Sequence, residues 1–435
     1  MAWTVEQVVA LAPDAAAARA GRQLAAPDRW ESVAGAEHTV WGECRGSAAV
    51  PYRAAVDLTG PAFKCSCPSR KLPCKHALGL FLLAVGEPAS LARHEPPDWV
   101  AEWLVGRRAR AQRPSQPTAP RAADGQQKRE RRREALVAAG VEELERWLED
   151  IVRLGLAELP ARPRAAFEQI AARLVDAQAP GLARFVRDLA AVPHAGERWP
   201  ERMLLRLARL ELLLEAYRRI DALTPELRAE IRSLVGFTVR REDILAAESV
   251  RDVWSVLGRR RAVEDRLQVQ RTWLWGERAQ RWALILDFAI SGQPLDGSLV
   301  PGARVEAELC FYPGVPALRA LLRTAPRAVG RVEALPGDGV EPVLRHYAEI
   351  LARNPWVERY PVGLGRVVPD GGQDDWWRVV DPTGRQLPLA GVAGWQLTAL
   401  SGGHPIDLFG EWDGFAVWPW SAAADGSFVH VEAPV

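Results

Sequence analysis

The sequence predicts an α+β chain of several domains: a small ββα amino-terminal module, a central helical region and a mostly-β carboxy-terminal domain. Three observations predict it. Three cysteines and a histidine crowd into the twelve residues CSCPSRKLPCKH, Cys65 to His76. The hydrophobic period is near 3.6 residues through the middle of the chain and near two after residue 263. Before that middle stretch, residues 106–134 carry ten Arg or Lys against three Asp or Glu, with almost no large apolar side chain.

Length and composition set the frame. A chain of 435 residues exceeds one ordinary core, so several domains are expected. Apolar residues at 48% and charged residues at 26% describe a globular protein. The formal net charge of +1 gives no whole-chain field toward polyanions, so local charge has to carry any such role. The start, MAWTVEQVVALAPDAAAA, lacks the basic and apolar blocks of an export signal, and no apolar run is long enough to span a bilayer. A cytoplasmic, reducing location without membrane contact is expected, where clustered Cys and His read as a metal site rather than disulfides.

In order along the chain, residues 1–105 form the first module. Thr4 and Gln7 have capping-box spacing ahead of Val8, Val9 and Leu11. HTVWGEC, PYRAAVDL and AFKCSC read as strands separated by turn signals. HALGLFLLAV is apolar nearly all round, so that helix must be covered on most sides. Residues 106–134, GRRARAQRPSQPTAPRAADGQQKRERRRE, cannot build a core and are expected to be a flexible basic linker, its KRERRR run solvated.

A helical domain is expected over 135–262, best marked by Met203, Leu207, Leu210, Leu214 and Tyr217 at helical spacing. From 263 to 435 the pattern is strand-like, in LQVQRTWLW, RWALILDFAI and ARVEAELCFY, and a Trp-rich small barrel or sandwich is expected. Ten of the 18 tryptophans lie there, which suits core packing. Trp418 and Trp420 are expected on one face of an edge strand across Pro419.

The cluster carries the chemistry. Cys65, Cys67, Cys74 and His76 offer three thiolates and an imidazole, a complete tetrahedral set for zinc. Four protein ligands leave no position for water, so one structural Zn2+ is expected, its binding free energy folding the module. Cys44 and Cys310 sit in strand-like stretches and read as buried thiols outside that set. His404 near Asp407 reads as a loop histidine. No phosphate-cradling glycine loop, nucleophile elbow or H-E-x-x-H occurs, and nothing in the sequence points to catalysis.

C-x-C-x6-C-x-H, after two strands and leading into a helix, resembles the SWIM zinc finger. The likeness extends through WGECRGSAAVPYRAAVDL and HALGLFLLAVGEP to the bacterial SWIM-family proteins, and implies a module that binds DNA or proteins. It also implies a neighbourhood of MoxR-type AAA+ ATPases and von Willebrand A-type proteins, and so a protein partner of that kind.

Whether the finger meets nucleic acid stays open at this level. Lys64, Arg70, Lys71 and Lys75, with Arg45 and Arg53, surround the cluster. They suit phosphate contact. They equally suit neutralising a thiolate-rich site and donating to its sulfurs. The segment after 355, with ten acidic residues and four arginines, opposes a polyanion. The sequence is therefore read as a non-enzymatic zinc-binding adaptor, with DNA or RNA binding through finger and linker as the alternative.

Overall fold

The computed structural model describes the chain apart from residues 1–2, 10, 14, 46–49, 59–61, 70–72, 112–121, 195, 197, 265–266, 291–294, 372–376, 392–393 and 432–435. Its architecture is α+β, with strands and the Cys/His cluster first, helices in the middle and sheets at the end.

The amino-terminal module contains α1 (Val5–Val9), α2 (Ala15–Gln23), β1 (Trp30–Ala36), β2 (Thr39–Cys44), β3 (Tyr52–Asp57) and β4 (Ala62–Cys65). It continues through α3 (Lys75–Gly86), β5 (Ala92–Arg93) and α4 (Asp98–Ala111). The five strands form one sheet in the order β4-β3-β2-β1-β5. Its first strand, WESVAGA, escaped the sequence reading because its apolar positions do not alternate cleanly.

The all-round apolar helix is α3, in which His76 to Leu83 are buried. Each of its large side chains contributes roughly 1.5–3 kcal/mol by leaving water. Helix α2 covers α3 at close range. A Cβ on Gly79 would stand 2.6 Å from Leu24 Cβ, so only glycine permits the approach.

The central helices are α5 (Ala122–Leu154), α6 (Arg164–Asp176), α7 (Pro180–Leu189), α8 (Trp199–Arg218), α9 (Pro225–Val235) and α10 (Arg241–Ala246). They enclose their own core, with Met203, Leu207, Leu210 and Leu214 buried on α8 as their spacing predicts. Helices α7 and α9 meet at Gly181, where a Cβ would lie 2.0 Å from the Leu234 carbonyl oxygen.

Two expectations are corrected here. The linker drawn over 106–134 is helical at both ends, since α4 reaches Ala111 and α5 begins at Ala122; residues 112–121 lie outside the described residues. The arginines of KRERRR belong to α5, where Arg133 donates to the Gly236 carbonyl at 2.9 Å and stacks on Phe237. A distant aromatic, invisible in the local composition, captures Arg133, while Lys128 to Arg132 stay exposed as expected. The helical region also ends earlier than 262, because β6 starts at Ser249. Its run of Arg259, Arg260 and Arg261, the first two half-buried and the third exposed, hid the strand's alternation.

The next sheet contains β6 (Ser249–Glu264), β7 (Leu267–Gly276), β8 (Arg281–Ile290), β9 (Ala303–Phe311), β10 (Arg319–Leu322) and β11 (Arg327–Arg331). Strand β10 pairs with both β8 and β9, so five of these strands close into the small barrel the alternation suggested. Trp254, Val256 and Leu309 inside it share one apolar cluster with Leu78, Phe81 and Leu83 of α3. The first module and the barrel therefore have a common core.

The last unit comprises α11 (Val340–Arg353), β12 (Tyr360–Gly371), β13 (Trp377–Val380) and β14 (Gln386–Pro388). It closes with α12 (Gly394–Ser401), β15 (Ile406–Trp412), β16 (Val417–Ala424) and β17 (Ser427–His430). The sheet order is β14-β13-β12-β15-β16-β17. Strand β16 is thus interior, not an edge. The register shift at Phe409/Gly410 accommodates Pro419 there. Trp420 is buried, while the half-buried Trp418 donates to Asp413 at 2.7 Å. Helix α11, with Val343, Tyr347 and Ile350 buried at helical spacing, was missed within a stretch read as β.

Candidate metal centre

Three elements converge on the cluster. Strand β4 ends on Cys65, Cys67 follows in the loop, and Cys74 caps α3, whose first turn holds His76. The ligand atoms of Cys65, Cys67, Cys74 and His76 all lie within 4.8 Å of one another. Cys65 Sγ and His76 Nδ1 are 3.9 Å apart.

The electrostatics favour a thiolate at the helix start. Cys74 Sγ accepts the Ala77 amide at 3.5 Å, and the positive end of α3 adds to that. The Cys65 thiol donates to Cys74 and, with that helix end, holds it down to about 4. Cys65, as the donor of that bond and a buried group, is pushed up. Burial also raises Cys67. Three thiols packed this closely cannot all ionise unless a cation joins them.

A tetrahedral zinc with sulfur at about 2.3 Å needs donor atoms about 3.5–3.8 Å apart. Cys65 and His76 already stand near that spacing, and the widest separation asks for about 1 Å of contraction. The donor chemistry fits as well, with three soft sulfurs and a neutral imidazole. The four residues thus form the ligand set of a single structural zinc ion.

Residues 63–84 match the SWIM zinc finger. A second family, the SWIM-associated four-helix bundle domain, matches residues 132–235, from α5 to the end of α9. The C-x-C-x6-C-x-H spacing of the SWIM finger falls on Cys65, Cys67, Cys74 and His76. No curated protein and no solved structure gave a match. SWIM fingers are in general binding modules without catalytic activity, engaged by proteins or nucleic acids.

The basic residues around the SWIM finger are less available than their sequence positions suggested. Lys64 donates to the Trp99 carbonyl at 2.8 Å and lies over the Trp99 ring, which ties β4 to α4. Arg45 faces Glu31 at 3.6 Å, and Arg53 binds Glu43 at 3.0 Å. Lys75 is exposed beside the ligands. Arg70 and Lys71 lie outside the described residues.

Cys44 is fully buried, and its Sγ faces the Arg29 and Arg45 carbonyl oxygens at 3.6 Å, apart from the ligand set. Cys310 is buried in β9. His404 is exposed in the loop after α12, and Asp407 accepts the Arg366 amide.

Sequence reasoning missed Tyr52. Its ring packs on His76 with centroids 4.8 Å apart. Both residues line a groove of about 520 Å³ between the finger and α2, walled by Ala16, Ala17 and Ala20 and edged by Lys75. Only the register of β2 and β3, which pairs Tyr52 with Cys44, brings it there.

Proposed function

We propose that the chain is a cytoplasmic, non-catalytic adaptor whose zinc-braced module presents a surface to a protein partner, a MoxR-type AAA+ ATPase being the first to test. One observation supports a protein over a nucleic acid. Lys64, Arg45 and Arg53 already bind acceptors of their own chain, so phosphate would have to displace them. The groove beside the ligands, part alanine and part charged, suits a side chain better than a phosphate backbone. Among the described residues no helix is long and apolar enough to cross a membrane.

The test is capture by the full zinc-loaded chain at low and high salt, with a purified MoxR-type ATPase and a short DNA duplex in parallel. Retention of the ATPase at both salt levels is expected. DNA binding that falls steeply with salt, with no ATPase retained, would reverse the assignment.

A further inference from the structure

Phe237, just past α9, is held between two guanidinium groups. Arg133 of α5 lies 4.5 Å from its ring centroid and Arg232 of α9 lies 4.1 Å from it. Such stacking fixes the planes of both groups, and part of their N–H edges is already engaged, Arg133 with the Gly236 carbonyl at 2.9 Å and Arg232 with Glu130 at 3.9 Å. Around this sandwich runs a groove of about 890 Å³ that Arg129, Arg132 and Arg240 also line. Five arginines thus meet two carboxylates in the lining, Glu130 and Asp243. Arg232 is paired with Glu134 at 3.2 Å, and Arg240 with Asp243 at 2.8 Å. Arg129 and Arg132 are exposed on the rim. The groove spans the start of the helical bundle and the segment that leaves it, far in sequence from the zinc ligands.

We infer that this groove is a docking site for a short acidic segment of a protein partner, one that alternates carboxylates with apolar side chains. Arginine forks match carboxylates with two parallel hydrogen bonds. The floor carries Leu136 and Val239, the latter 40% exposed, which would face the segment's apolar residues. A nucleic acid fits less well. Its backbone carries a charge on every unit and offers no aliphatic side chain to set against Leu136 and Val239. A net charge of +1 also gives the chain no long-range pull on a polyanion. The inference rests on the adaptor reading only in taking the partner to be a protein.

Fluorescence anisotropy of the full zinc-loaded chain tests it. The probes are a labelled peptide of about twelve residues repeating Glu-Leu-Asp-Leu, its Gln-Leu-Asn-Leu counterpart, and an oligothymidylate of similar length. The variant Arg129→Glu/Arg132→Glu changes exposed residues only, and its fold is checked by zinc content and melting temperature. Arg146→Glu/Arg153→Glu, on the same helix outside the groove, is the charge-matched control. The acidic peptide is expected to bind, to lose about tenfold or more in the groove variant and to change little in the control. Equal binding of the neutral peptide, or equal loss in both variants, would overturn the site. Tighter binding of the oligonucleotide, lost in the groove variant, would make it a nucleic-acid site instead. ATPase capture that survives the groove variant, with no peptide binding, would sink this inference and leave the adaptor reading standing.

Discussion

The Tyr52 ring lies against the imidazole of His76, centroids 4.8 Å apart and planes 32° apart, so a strand residue fixes the orientation of a ligand on the helix. Side chains that orient a ligand ring are worth about ten- to a hundredfold in metal affinity. Tyr52→Ala is expected to weaken zinc binding by that order while Tyr52→Phe retains it. Competition against a chromogenic chelator measures both, and equal affinities for all three proteins would remove Tyr52 from the site.

Cys67→Ser should lower zinc content from one ion per chain toward none. Because structural zinc contributes folding free energy directly, residues 30–105 should then become protease-sensitive. The helical bundle has its own core and should keep its resistance. Elemental analysis with limited proteolysis reads both effects, and an unchanged cleavage pattern in the metal-free protein would refute the bracing role.

Glu411 ties the barrel to the last sheet. Its carboxylate is 1% exposed and accepts from Trp273 Nε1 at 2.8 Å, with Arg271 and Arg359 each at 3.3 Å. Glu411→Gln keeps an acceptor for Trp273 but removes the charge between two arginines, and should cost about 2–3 kcal/mol. Glu411→Ala should cost more, since it also orphans the buried indole N–H. Calorimetric melting of the three proteins decides, with equal transitions ruling the pairing out.

His430 gives a signed pH effect. Its Nε2 sits 3.3 Å from the Arg259 amide and 3.0 Å from the Arg259 carbonyl oxygen. Burial, aided by Arg259 and Arg260, brings it down to about 4. Between about 6.5 and 4 the unfolded chain takes up this proton and the folded chain does not, so acidification lowers stability there. Asp287, raised to about 6 by burial, works in the opposite direction in part of the same window. The difference between the parent and His430→Gln isolates the histidine, at about 1–3 kcal/mol between pH 7 and 4.5 by urea denaturation. Parallel pH curves for the two proteins would exclude it.

The metal centre was legible because its ligands are local. Four donors within twelve residues declare their chemistry before any fold is known, and the helix that follows them had to be buried. The surroundings were not legible for the converse reason. Tyr52 reaches His76 through strand register, and Lys64 turns from the site toward a carbonyl on α4. Arg133 is a linker charge by composition and a packed side chain once Phe237 arrives from the far side of the bundle. The small barrel was foreseeable from alternation. Its first strand was not, since the consecutive Arg259, Arg260 and Arg261 of β6 interrupt the apolar alternation.

Phe81 in the zinc module and Trp254 in the barrel belong to one unbroken apolar cluster. The finger is therefore no reading head swinging on a string. Any partner that grips its rim takes hold of the barrel wall too, and a tug at one is felt at the other before slack is drawn from any connecting segment. Cut away on its own, the finger would carry a raw oily face into water.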